Sequence, residues 1–263
     1  MTKKILRYIK IWWMMSRNSF SMVLSQKLSI SVFLIGKIMR FVFFFAFLFF
    51  LLQGTKTLAG YTGSQAIFFF LTFNVVDIVS QFLFREVYRF RPMVVNGEFD
   101  NVLVKPISPL FRVLMGGADV IDLITIPPLF LAVWYVGSLL NPSILHSAFY
   151  ILLLLNGFLI ATAFHIIVLS LGIITLEVDH TVMIYRDLMS LGRFPVDLYR
   201  QPLQGFLTYL VPVGLMITLP AKALMGLVSL PGVLASFGLG LTAVFVSLRF
   251  WNFALKKYSS ASS

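Results

Sequence analysis

This sequence predicts an all-α membrane protein with six transmembrane helices, on three observations. Hydrophobic residues make up 59% of the 263 positions and charged residues only 12%, with a mean hydropathy of +0.93. A soluble domain of this size cannot hide that much apolar side chain, so much of the surface must face lipid. The apolar residues come in runs of about twenty, the length at which a helix rising ~1.5 Å per residue crosses a ~30 Å hydrocarbon core. The 21 Lys and Arg, against 10 Asp and Glu, lie at the ends of these runs. Charges placed there set topology and meet anionic headgroups, so the net charge of +11 does not announce a nucleic-acid partner, and none is expected. Cysteine is absent, which excludes disulfides and thiolate metal sites.

Residues 1–28 read as a basic amphipathic helix lying in the headgroup plane. Lys3, Arg7, Lys10, Met14 and Arg17 share one stripe, and Ile5, Ile9, Trp12, Trp13 and Phe20 another. A topogenic leader is the alternative; a cleavable signal peptide is not expected, because the first strongly apolar run starts only near Ile30. Span 1 is expected at 30–52, with Lys37 and Arg40 snorkelling back to the interface. A short loop carrying Lys56 leads to span 2 at 64–84. Asn74 and Asp77 lie in its inner half, as a substrate-path or inter-helix polar site or as polar groups near the interface. An ionisable side chain at that depth costs ~2.5 kcal/mol or more and should face the bundle interior or water.

Span 3 is expected at 120–140. Asp119 and Asp122 at its start suit the positive end of a helix, and Pro127-Pro128 should kink it or unwind a turn. Span 4, at 145–176, carries His165, expected to be neutral and hydrogen-bonded inside the bundle. A second polar interval, 177–201, is expected in the cytoplasm. Span 5 follows at 203–219, then a short external piece with Pro220, Lys222 and Pro231, span 6 at 232–250 and a tail at 252–263. Gly232, Ser236 and Gly240, like Gly157 and Ala161, recur every four residues and permit close helix approach, within the chain or between copies. With both termini inside, 19 of the 21 basic residues fall on the cytoplasmic side and only Lys56 and Lys222 outside. The expectation is a single transmembrane domain in the cell (inner or plasma) membrane, multi-pass, with N and C termini cytoplasmic.

Between spans 2 and 3 lies the longest strongly polar interval, 85–112, with five basic and three acidic residues. Asn96-Gly97 is a strong turn signal. After it, Phe99, Val102 and Leu103 recur at helical spacing until Pro106 and Pro109 stop the helix. One or two amphipathic turns have too little surface to fold alone and should dock onto something. GEFDNVLVKPISPLF resembles the signature of the ABC-2 family of ABC-transporter permeases, in its subfamily of roughly 260-residue, six-helix proteins. Gly97, Phe99, Asp100, Leu103, Lys105, Pro106 and Pro109 occupy the positions of that pattern. The resemblance extends to the hydropathy profile and to FPVDLY…VPVGLMITLPA, nearly the whole chain.

The resemblance implies a two-fold assembly of permeases, identical or merely similar, on two cytoplasmic ATP-binding subunits. A cytoplasmic coupling helix at Gly97, Glu98, Phe99, Asp100, Val102, Leu103, Lys105 and Pro106 would sit in a groove of the ATPase. The membrane lipid is the remaining partner. The chain has no G-x-x-x-x-G-K-[ST] motif, so ATP and Mg are expected to be used by a separate subunit, and no cofactor or catalytic residue is expected here. Glu177, Asp179 and His180 are the one cluster with the residue types of a metal or catalytic site, without the spacing, and read as a solvated loop. An ATP-driven exporter is thus the leading reading. A membrane enzyme acting on lipid-type substrates would need positioned carboxylates or His, and an ion-coupled carrier several mid-span charges; both are weaker alternatives. The cargo is not legible in spans made mostly of Phe, Leu, Ile and Val.

Overall fold

Long apolar runs leave backbone amides no partner but their own helix, and the chain answers with helices throughout. The computed structural model describes residues 2–55, 57–175 and 178–259. Its long elements are α1 (Thr2–Leu24), α2 (Lys27–Thr55) and α3 (Gly63–Phe84). A 3₁₀ turn, Arg85–Arg89, leads into the short helices α4 (Phe90–Val95), α5 (Glu98–Leu103) and α6 (Pro109–Leu114). Then come α7 (Val120–Ser138), α8 (Ile144–Thr175) and α9 (Val178–Ser190). A short α10 (Leu203–Gly205) runs into π-helical turns, and α11 (Leu219–Leu224) and α12 (Leu230–Lys257) close the chain. Among the described residues the only β pairing is an isolated bridge between Leu58 and Tyr61.

Five segments are long and apolar enough to cross a bilayer: Lys27–Leu51, Gly63–Val95, Val120–Ser138, Ile144–Thr175 and Leu230–Lys257. A sixth candidate, Leu203–Leu210 with Gly214–Leu224, is bent by 74°. Pro212 lies in that break, where a missing amide and the proline ring both oppose a straight helix.

α3 is the central element, with most of its length buried, and α7, α8 and the 214–224 segment pack around it. α8 and α12 lie along one another, and small residues set their distance. Gly240 faces the Asn156 side chain, and Asn156 Nδ2 donates to the Ser236 carbonyl and hydroxyl, both at 2.9 Å. Gly157 lets the backbone at Met216 approach so closely that a Cβ would fall 2.8 Å from its carbonyl oxygen. Gly157, Ser236 and Gly240 are therefore used for packing within the chain.

The bundle has two distinguishable ends. At one, which we call the Tyr61 end, α3 and α8 begin, and Gly137 near the end of α7 packs between Phe68 and Leu224. At the other, the Phe99 end, α3 finishes, α9 begins and α12 finishes around a shared apolar cluster. The 177–201 stretch does not stay at one of them. Val178 fills the space beside Gly172 and Phe90, at the Phe99 end. Asp197 meets the Tyr61 hydroxyl at 2.8 Å and Lys222 Nζ at 2.7 Å, at the Tyr61 end.

That geometry corrects two expectations. The interval 177–201 is not a loop on one side, and 203–219 is not a straight span. Gln204 comes within 3.5 Å of Asp197 and Lys222 pairs with the same carboxylate, so the 203–224 hairpin enters and leaves at one end. Hydropathy does not show this because Arg186, Asp187, Arg193 and Asp197 depress the average across the stretch that joins the two ends. Two of them find partners inside it: Arg193 lies over the Phe73 ring at 5.9 Å, and Asp197 has Lys222.

Three smaller expectations also change. Lys37 and Arg40 do not simply reach back to the interface; Lys37 pairs with Asp122 of α7, and Arg40 with Asp77 of α3 at 3.7 Å. Asp119 does cap α7, accepting from the Ile121 amide at 2.8 Å, but the buried Asp122 serves as the ion-pair partner instead. α7 continues unbroken through Pro127-Pro128, so no turn is unwound there. His165 is as expected: buried, with Nδ1 at 2.8 Å from the Ala161 carbonyl and the ring between Phe84 and Tyr185.

Candidate functional site

The polar interval 85–112 folds into three short helices because its sequence punctuates them. Gly97, at φ +73°, reverses the chain between α4 and α5, a backbone that a Cβ would strain. Pro106 follows α5, and Pro109 stands at the first turn of α6, where its missing amide has no helical partner to lose. Ser108 caps α6, its hydroxyl accepting from the Phe111 amide at 3.4 Å.

α5 divides its residues between two faces. Phe99 is fully buried, edge-on to Phe90 at 5.3 Å, to Tyr258 at 5.1 Å and to Trp251 at 6.5 Å. Val102 is buried beside it in the same cluster. Expecting Phe99, Val102 and Leu103 to enter a partner together is therefore corrected. In a helix of under two turns, residues 99 and 102 share one side, and that side is taken by the chain's own apolar cluster, with Trp251 of α12 and Tyr258 against Phe99. What faces outward is Glu98, Asn101, Leu103 (36% exposed), Val104 (82% exposed), Lys105 and Pro106.

Asp100 ties α5 to the C-terminal segment, accepting from the Tyr258 hydroxyl at 2.9 Å. Burial first, and then this carboxylate, push the Tyr258 phenol up to about 12, so it remains a donor across the physiological range. Sequence reading missed Trp251 and Tyr258. Their one signal is the aromatic pair flanking the end of the last apolar run.

Around α5 the charges are paired. Glu86 accepts from Arg112 Nη1 at 2.6 Å and has Arg89 at 3.8 Å. Arg85 pairs with Asp119 at 3.3 Å and Arg91 with Asp179 at 3.4 Å. α1 lies against the same region. Tyr8 accepts from the Ser108 amide at 3.1 Å, Arg7 donates to the Pro106 carbonyl at 3.3 Å, and Ser16 accepts from the Ala118 amide at 3.3 Å.

The second candidate site, Asn74 and Asp77, joins α3 to α2. Arg40 donates to Asn74 Oδ1 at 3.1 Å, Asn74 Nδ2 donates to the Phe70 carbonyl at 2.8 Å, and Gln81 donates to Asp77 Oδ1 at 2.7 Å. With Lys37–Asp122 this makes a polar seam holding α2 to α3 and α7. Of the Glu177–His180 cluster, Asp179 is paired with Arg91, and Glu177 lies outside the described residues. Among the described residues no three His, Cys, Asp or Glu side chains are grouped as a metal site would need.

A family model described as ABC-2 family transporter protein matches residues 37–262. No curated protein and no solved structure matches the chain.

Proposed function

Because the chain belongs to the ABC-2 family of transporter proteins, and is a multi-pass membrane protein, we propose that it is the permease subunit of an ATP-driven exporter. It forms the substrate path with a second permease, identical or similar. A separate subunit supplies the energy by hydrolysing ATP with Mg and docks at the Phe99 end, which faces the cytoplasm. Both termini lie on that side of the cell membrane. Six crossings result when 178–198 is the fifth, with 203–224 as a hairpin re-entering from outside. Only Lys56, Arg193, Arg200 and Lys222 then leave the cytoplasmic side, which keeps the strong basic asymmetry of an inward-facing surface. Lys56 itself lies outside the described residues.

The observation that carries the reading is the two-faced α5. Phe99 is locked under Trp251 and Tyr258 at the end of the last helix, while Leu103 and Val104 stand exposed beside Lys105. An exposed apolar corner on a small element that packs against the end of a long helix suits the transmission of a push from outside the bilayer. Asn74 and Asp77 are proposed as an inter-helix polar site rather than as a cargo contact, since their partners are Arg40 of α2 and, within α3 itself, the Phe70 carbonyl and Gln81.

Co-purification tests it. Leu103→Glu is expected to leave expression and insertion normal, release the ATP-binding subunit and abolish transport, because desolvating an unpaired carboxylate costs several kcal/mol. A Leu103→Glu protein that keeps its ATPase and transports normally sinks the assignment.

A further inference from the structure

α1 is basic without exception: it carries Lys3, Lys4, Arg7, Lys10 and Arg17, and no acidic residue occurs before Asp77. The helix docks along the border of its two sequence stripes, with Trp12 from the apolar one and Arg7, which reaches the Pro106 carbonyl, from the basic one. The other contacts to the rest of the chain come from Tyr8, Ser16 and Ser19 on the same side. This leaves a groove of about 510 Å³ between the helix and the bundle, in the size range of small-ligand sites. Ile5, Ile9 and Trp12 form one wall and Leu83, Phe111 and Met115 the other, with Lys4 at the rim. Ile5 and Ile9 remain more than half exposed although they border it.

We infer that this groove holds one acyl chain of an anionic phospholipid from the surrounding bilayer. Its phosphate lies by Lys4 at the rim. The occupant is a lipid rather than a protein segment because the walls are apolar, the rim is cationic and the helix has the composition of one lying among headgroups. The lipid also bears on the coupling segment, since Tyr8 and Arg7, on the same helical turns, hold Ser108 and Pro106. Losing it loosens α1 and, through those two bonds, the segment that follows α5. The inference rests on the proposed function only for that last consequence, and the test below needs no ATP-binding subunit. A failure of the coupling assignment therefore leaves the lipid result standing, and the reverse.

The experiment takes the full chain from vesicles of equal phosphatidylglycerol and phosphatidylcholine and counts retained lipids by native mass spectrometry. The wild type is expected to keep phosphatidylglycerol over phosphatidylcholine. Lys4→Gln should lower that preference about fivefold, from about 1 kcal/mol per basic residue near an anionic lipid. Ile9→Trp, which fills the groove, should abolish that preference. Lys27→Gln, at the start of α2 and away from the groove, should change nothing, which separates a site from general surface charge. If Ile9→Trp disturbs folding, the exposed Lys4 carries the test alone. No preference in the wild type, or equal losses in Lys4→Gln and Lys27→Gln, overturns the inference.

Discussion

Substitutions on the two faces of α5 should fail in different ways, and the difference measures how force enters the bundle. Phe99 is wholly enclosed by Phe90, Trp251 and Tyr258. Phe99→Ala therefore leaves a cavity at about 3–5 kcal/mol, the usual range for a buried aromatic. Because α5 has only six residues, that cost exceeds what its own turns supply, and the helix should detach from α12. Val104, 82% exposed, touches little in the chain, so Val104→Glu should be within ~0.5 kcal/mol of neutral for folding. If Val104 is buried in the complex, the same change costs several kcal/mol of association, and 4 kcal/mol is roughly a thousandfold in affinity. Two measurements separate the cases: thermal unfolding of the purified permease, followed by the fluorescence of Trp251 beside Phe99, and titration of the ATP-binding subunit onto it in lipid discs. Phe99→Ala should lower the unfolding midpoint and weaken binding; Val104→Glu should leave the midpoint alone and weaken binding at least as much. Tight binding retained by Val104→Glu refutes the outward face as the docking surface. A normal midpoint in Phe99→Ala refutes the lock between α5 and α12.

Two other expectations follow from the same geometry. Single cysteines at Leu227, past α11, should react with an impermeant thiol reagent added outside intact cells and those at Glu98 should not; labelling of Glu98 would invert the proposed orientation. Lys37→Met leaves Asp122 buried and unpaired and should cost roughly 3–5 kcal/mol, whereas Lys37→Met with Asp122→Leu should recover most of it, read as unfolding midpoints in the same detergent. A double variant no better than the single one would mean that the pair does not hold α2.

What the sequence by itself determined is local. Runs of Phe, Leu, Ile and Val must be helices because lipid offers the backbone no partner, and their lengths place most of the spans without reference to any contact. Gly97 and the two prolines likewise determine where α5 begins and ends, since positive φ and a missing amide act within a turn. The basic asymmetry is also additive along the chain, so its sign is the same wherever Arg193 and Arg200 lie. Tertiary structure alone decided the rest. Hydropathy averages neighbours in sequence, and it cannot know that Asp197 will meet Tyr61 and Lys222 or that Arg193 will lie on Phe73. It therefore does not show that the 178–198 stretch runs from one end of the bundle to the other. The periodicity of Phe99, Val102 and Leu103 showed that α5 has an apolar side. Which partner covers that side was decided by Trp251 and Tyr258, brought from the far end of the chain by the pairing of α8 with α12. Burial of charge and of one helix face depends on what arrives in space, and nothing within a turn of the residue announces it.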